Sequence, residues 1–260
     1  MIRCDIKCVS FVLCSAAFIA CGGGRDGAVQ EEESTGWSQA PIIRGSADNH
    51  DEVVSLYDPE GGGLCTGTIV ATKQTTGYVL TAAHCCKPGS LPTLVGIGAA
   101  LRTATQYPIT AIKAHASYEG TGTPYDFCMV SFTDPDGNMK VIPPLPPELD
   151  TIQVGAALDA IGFGRTDTNP RVPLTDPKRL HVTYSTVDFS SNHLLAQFDA
   201  REGGTCQGDS GGPDLVTVGG KTYVYGVHST VSGITCNGTA ESGVVSKVHS
   251  WIRAYIDGAP

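Results

Sequence analysis

Beyond residue 50 the chain runs in short apolar stretches broken by glycine, proline and polar clusters. The stretches at 53–57, 67–71, 77–82, 93–97, 107–115 and 128–132 each read as a strand, with Gly, Pro, Asp and Thr at the breaks. Residues 135–147 are proline-rich and predict an extended connection between two halves. A second series of strands follows at 156–162, 178–187, 193–198, 212–218, 222–227 and 243–247. The period changes only at the end, where Val248, Ile252, Tyr255 and Ile256 fall at helical spacing and predict a helix over 248–257. Two series of about six short strands predict an all-β fold of two six-stranded antiparallel β-barrels with a C-terminal helix, because closure removes exposed strand edges. Barrel one is expected over about 42–145 and barrel two over about 150–247, within one unit spanning 42–260.

The first residues stand outside this pattern. Arg3 and Lys7 precede an apolar run at 9–20 that is too short to span a bilayer comfortably, so 1–21 reads as an export signal. Its end, Phe18-Ile19-Ala20-Cys21-Gly22, resembles a bacterial lipobox, in which Cys21 would be lipidated; ordinary signal cleavage with Cys21 lost or incidental is the other reading. Residues 22–41 are glycine-rich, then acidic at Glu31, Glu32 and Glu33, and read as a linker or pro-segment before the abrupt apolar start Ile42-Ile43-Arg44-Gly45.

At 41% hydrophobic and 17% charged residues the 260-residue chain can bury a core and is not of disordered type. Its net charge of −9 and pI of about 5.1 offer no basic face to nucleic acid or anionic lipid, which leaves a lipid anchor at Cys21 as the sole expected membrane contact. Export makes disulfides the natural use of the six cysteines beyond the signal, Cys65, Cys85, Cys86, Cys128, Cys206 and Cys236, with fifteen connectivities open. None of the six forms a Cys-x-x-Cys pair, and no Asp-x-Asp-x-Asp run suggests calcium; neither metal nor cofactor is expected.

The chemistry concentrates in Cys206-Gln207-Gly208-Asp209-Ser210-Gly211-Gly212-Pro213, where three glycines surround one serine. Glycines are poor material for a strand interior, and their gathering here suits a turn whose backbone N–H groups face a developing oxyanion beside a nucleophile. Thr81-Ala82-Ala83-His84-Cys85 ends a strand in a histidine, and Tyr125-Asp126-Phe127-Cys128-Met129-Val130 heads another with an acid. Singly, each has a bland reading as a turn residue or an ordinary histidine. Jointly, and in this order, they resemble the chymotrypsin family of trypsin-like serine endopeptidases, over a length running from Ile42 to the terminal helix. A dead binding protein of the same fold is a minority reading, and an α/β-hydrolase esterase would need a different serine motif and chain order.

The resemblance implies that Ser210 is the nucleophile, His84 the general base and acid, and Asp126 the carboxylate that orients it, with the N–H groups of Gly208 and Ser210 as oxyanion hole and Ser229 supporting the acid. It implies bridges Cys65–Cys85 and Cys206–Cys236 and leaves Cys86 with Cys128. It also implies that an activating protease cuts before Ile42, whose new ammonium pairs with Asp209. Pro41 before that bond speaks against self-activation of the trypsin type, and Arg44 replaces a small residue. Gly204, Thr205, His228, Val231 and Gly243 match the family's substrate pocket. Gly204 stands where an acid would select Lys or Arg. Thr205 and His228 match residues that hold a substrate carboxylate, which favours cleavage after Glu, whereas Val231 would narrow the pocket toward small aliphatic side chains. Protein or peptide substrates and a monomeric state are expected.

Overall fold

The computed structural model describes residues 42–61, 63–134, 136–137, 139–169, 171, 174–190, 195–201, 203–233 and 235–258. The signal, Cys21 and the 22–41 segment lie outside them, as does the start of the strand expected at 193. After a two-residue strand β1 (Ser46–Ala47), six antiparallel strands close the first barrel: β2 (Val53–Tyr57), β3 (Cys65–Lys73), β4 (Thr76–Thr81), β5 (Leu94–Ile97), β6 (Thr105–Ala114) and β7 (Cys128–Thr133), in the order β2-β3-β4-β7-β6-β5. Polarity follows burial: β6 mixes half-buried and exposed positions, while β2 and β7 are buried at nearly every residue and are correspondingly apolar without alternation.

The second barrel contains β8 (Ala157–Gly162), β9 (Leu180–Ser190), β10 (Leu195–Asp199), β11 (Pro213–Val218), β12 (Lys221–Val231) and β13 (Thr239–Val244), ordered β9-β10-β13-β12-β11-β8, with β8 pairing back onto β9 and β1 added outside β9. Its core gathers Leu158, Ala160, Tyr184, Phe198, Tyr225 and Val244 with the fully buried Ile42. One boundary differs from expectation. The strand read at 243–247 is β13, lying earlier, and Val245–Lys247 form a single 3-10 turn. Thr239 is exposed and Glu241 half-buried, and with Ser242 they make half of β13 polar, so the Val244-Val245 run carries the apolar signal.

The segment between the barrels touches both. Ile142 N–H donates to the Ile69 carbonyl of β3 at 3.0 Å, and Leu145 N–H to Val224 of β12 at 2.9 Å. The helix α1 (His249–Gly258) follows barrel two in sequence yet packs on barrel one: Ile252 and Ile256 are buried, the Tyr255 ring meets Tyr78 edge-on at 6.2 Å, and the Tyr255 hydroxyl lies 2.9 Å from Ser131 Oγ. These two ties join the barrels, whose residues together form the cleft described below.

A third tie is ionic. Arg179, buried just before β9, donates from Nε to Asp48 at 2.7 Å and from Nη2 to Asp51 at 2.8 Å, and reaches the carbonyls of Val53 and Gly98. Arg179→Met would leave the buried Asp48 carboxylate without its cation, and removing one member of such a pair costs about 3–5 kcal/mol. Asp48 retains its bond to His50, so the lower end is expected, read as a fall in the urea midpoint; a midpoint within experimental error of the parent would contradict the clasp.

Candidate active site

β4 ends at Thr81, and Ala83–Cys86 form one 3-10 turn that carries His84. The turn is stapled on both sides, by a Cys65–Cys85 disulfide to β3 and a Cys86–Cys128 disulfide to β7. Asp126, two residues before β7, faces this turn. Its Oδ2 lies 2.8 Å from His84 Nδ1, its Oδ1 accepts the His84 backbone N–H at 2.9 Å, and its carboxylate is fully buried while the imidazole is 18% exposed. The Ser229 hydroxyl donates to Asp126 Oδ2 at 2.6 Å and accepts the N–H of Gly122 at 2.9 Å. Ser229 reaches the acid because β12 bulges there: His228 pairs with Ser242 and Thr230 with Glu241, which leaves Ser229 unpaired and turned out of the ladder.

The glycine-rich turn between Cys206 and β11 lies against barrel one. Thr66 of β3 donates its N–H to the Ser210 carbonyl and its hydroxyl to the Gly208 carbonyl, both at 2.8 Å. Gly208 has φ of +99°, and a Cβ there would come within 2.8 Å of Gly164 Cα, so no other residue fits without moving backbone. Asp209, Gly211 and Gly212 donate their N–H groups to carbonyls of the protein, whereas those of Gly208 and Ser210 have no partner among the described residues. Asp209 turns inward. Its carboxylate is fully buried and accepts the N–H of Gly164 at 2.7 Å and of Cys206 at 2.8 Å. In the intact chain Ile42 contributes a peptide nitrogen, not an ammonium, and Ile43 bridges to Gly204.

His84 and Ser210 line one cleft of about 190 Å³ together with Thr205, His228, Ser229 and Val231. Gly204 and Gly243, expected in the substrate pocket, are not among the described residues that line this cleft. Gly204 is held in its backbone bridge to Ile43, and the Cα of Gly243 faces the Phe127 ring, 2.5 Å from where a Cβ would sit. The cleft also takes in Thr121, Gln207 and Thr230, which the sequence did not single out. His228 is engaged on both nitrogens, Nδ1 at 3.1 Å from the Asp209 carbonyl and Nε2 at 2.9 Å from Asp214 Oδ1. Asp214 was missed; the signal available was an acid in β11, a strand whose other residues are apolar apart from Thr217. Cys206 and Cys236 form the third disulfide beside the cleft. Among the described residues the one group within metal-ligand reach is Cys65, His84 and Cys85, and both sulfurs belong to a disulfide.

The profile of the family described as Trypsin matches residues 42–253. The chain belongs to this serine protease family. A curated relative, Trypsin 5G1 of Aedes aegypti, is 26% identical over 275 residues, which covers 93% of this chain and 96% of that protein. The chain is accordingly a trypsin-like serine endopeptidase, a hydrolase acting on protein or peptide substrates, and its disulfides are consistent with export to an oxidising compartment.

In this intact trypsin-like chain, burial pushes the Asp209 carboxyl up from 3.8 to about 6, opposed by the Cys206 N–H, the His228 charge and the Gly164 N–H. The folded state therefore holds a proton that the unfolded chain has released between about pH 4 and 6. Its contribution to stability is full below pH 4 and is lost as pH rises through 6, by about 3 kcal/mol for some two pK units. The stability difference between the intact chain and its Asp209→Asn variant, from denaturant unfolding at pH 4 and pH 7, is expected to shift by this amount against the parent. A difference independent of pH would contradict it.

Proposed function

We propose that Ser210, His84 and Asp126 act as nucleophile, proton carrier and orienting carboxylate in hydrolysis through an acyl-enzyme. The observation that carries the reading is the 2.8 Å His84 Nδ1 to Asp126 bond at the edge of the cleft that Ser210 also lines. That bond fixes the tautomer, leaving Nε2 to accept the Ser210 proton as Oγ attacks the carbonyl and then to give it to the leaving amine; water repeats the cycle to release the acid. The unpartnered N–H groups of Gly208 and Ser210 would hold the oxyanion, where one donor is typically worth around 3 kcal/mol. Ser229 acts by holding Asp126.

Activation is assigned to a cut before Ile42 by another protease. The new ammonium would pair with Asp209, whose buried carboxylate takes backbone N–H groups and no cationic side chain on its two oxygens among the described residues. The boundaries follow: signal over 1–21, pro-segment over 22–41 and peptidase over 42–260, with Cys21 anchoring a bacterial lipoprotein at the periplasm or cell surface until the cut frees a monomeric enzyme.

For the acyl-side residue we favour glutamate. Its support is a cleft whose described lining residues include no carboxylate but carry the hydroxyls of Thr205 and Thr230 and the edge of His228. Because both ring nitrogens of His228 are already bonded, the imidazole would contribute charge and the hydroxyls the hydrogen bonds. Val231 on the same lining supports a second reading, small aliphatic residues. Peptide-library profiling of protein beginning at Ile42 separates them. Cleavage after Glu that is lost in His228→Ala is expected, with all turnover gone in Ser210→Ala. Cleavage after Ala or Val that His228→Ala leaves intact would sink the acidic pocket, and turnover surviving in Ser210→Ala would sink the mechanism.

A further inference from the structure

Behind the cleft, barrel two holds a chain of polar groups that peptide hydrolysis does not use. Asp214 on β11 is fully buried. Its Oδ1 receives the Tyr184 hydroxyl of β9 at 2.5 Å and faces His228 Nε2 of β12 at 2.9 Å. Its Oδ2 has no partner among the described residues, and Ser242 on β13, which pairs in register with His228, lies beside the Tyr184 hydroxyl. Room for the carboxylate comes from Gly226, opposite Asp214 in the ladder, where a Cβ would lie 2.4 Å from Oδ2. Buried polar atoms without partners cost stability, and native proteins keep few of them. Four strands thus contribute to an arrangement that stability alone does not favour.

Proton positions follow from the partners. The Asp209 carbonyl can only accept, so His228 Nδ1 carries a hydrogen. One further proton lies between Nε2 and Asp214 Oδ1, 2.9 Å apart, and the charge and hydrogen bond of Asp214 favour its resting on the ring, as imidazolium beside carboxylate. The imidazolium is the end that borders the cleft; the carboxylate lies deeper, toward Tyr184. We infer that Asp214 is a specificity-determining positioning residue, which keeps His228 charged and so gives the substrate pocket a fixed positive wall for an acidic side chain. This deepens the glutamate reading above and rests on it. Other titratable groups face the pair: Asp209 from the turn before β11, Tyr184 across Asp214, and Tyr225 of β12 within electrostatic reach of Asp214. Burial by itself would lower the His228 pKa, but the charge and hydrogen bond of Asp214, with Asp209 adding to them, turn the net shift upward.

The test uses the protein beginning at Ile42 and two matched peptide substrates that differ only in Glu or Gln at the acyl side of the cut. Expected are a preference for Glu at pH 7 in the parent, a fall of that Glu/Gln ratio by tenfold or more in Asp214→Asn, and, by histidine-labelled NMR of the parent, a His228 ring still carrying both N–H protons at pH 7. A parent that prefers Glu while Asp214→Asn keeps the ratio overturns the role of Asp214 and leaves the acidic pocket standing. A parent with no preference removes the pocket reading and this inference together. Should Asp214→Asn fail to fold, the NMR titration decides alone: a His228 ring that has lost its second proton by pH 7 overturns the inference.

Discussion

The fold is organised around a carboxylate taken fully out of water. Asp126 has no exposed side-chain surface, and an isolated buried charge would be prohibitive. What makes it tolerable is convergence: the His84 backbone N–H, the His84 ring and the Ser229 hydroxyl all reach its two oxygens. Those donors come from different parts of the chain, a turn after β4 and a bulge in β12, so the carboxylate is satisfied only when both barrels are formed and docked.

That requirement explains much of the surrounding construction. The His84 turn is fixed by disulfides to β3 and β7, the glycine turn is hung from Thr66, and the extended connector and α1 tie the barrels across the groove. Each bridge between cysteines restricts the unfolded chain and typically contributes about 2–4 kcal/mol. Rigidity matters because nucleophilic catalysis loses rate steeply when reacting groups stray from near-attack geometry. A second buried acid, Asp209, sits on the other side of the same turn and is held by backbone N–H groups. The turn carrying Ser210 is therefore braced by barrel one in front and by an inward carboxylate behind.

Much of this was legible in the sequence, and the exceptions share a physical cause. Strands buried on nearly every residue, such as β2 and β7, announce themselves as apolar runs, and α1 shows its period through Ile252 and Ile256, with Val248 just ahead of it. His84, Asp126 and Ser210 stand in flanks distinctive enough to be found together. What escaped depends on register. β13 mixes polar with apolar residues, so its span at 239–244 leaves no apolar run to read, and which side of the backbone turns to the cleft at Gly204 and Gly243 depends on strand pairing, which one-dimensional spacing does not encode. Asp214 was passed over for the same reason. An acid in an apolar strand gains meaning only when β11 is laid beside β12 and its carboxylate is found against His228.

The central claim is that Ser210 is made nucleophilic by His84. Covalent capture tests it most directly: protein beginning at Ile42 is incubated with a fluorophosphonate, which traps an activated serine, and the adduct is located by mass spectrometry and peptide mapping. The account predicts one adduct per chain, on Ser210, and its loss in His84→Ala. An adduct on another residue, or labelling of Ser210 that persists without His84, would contradict it.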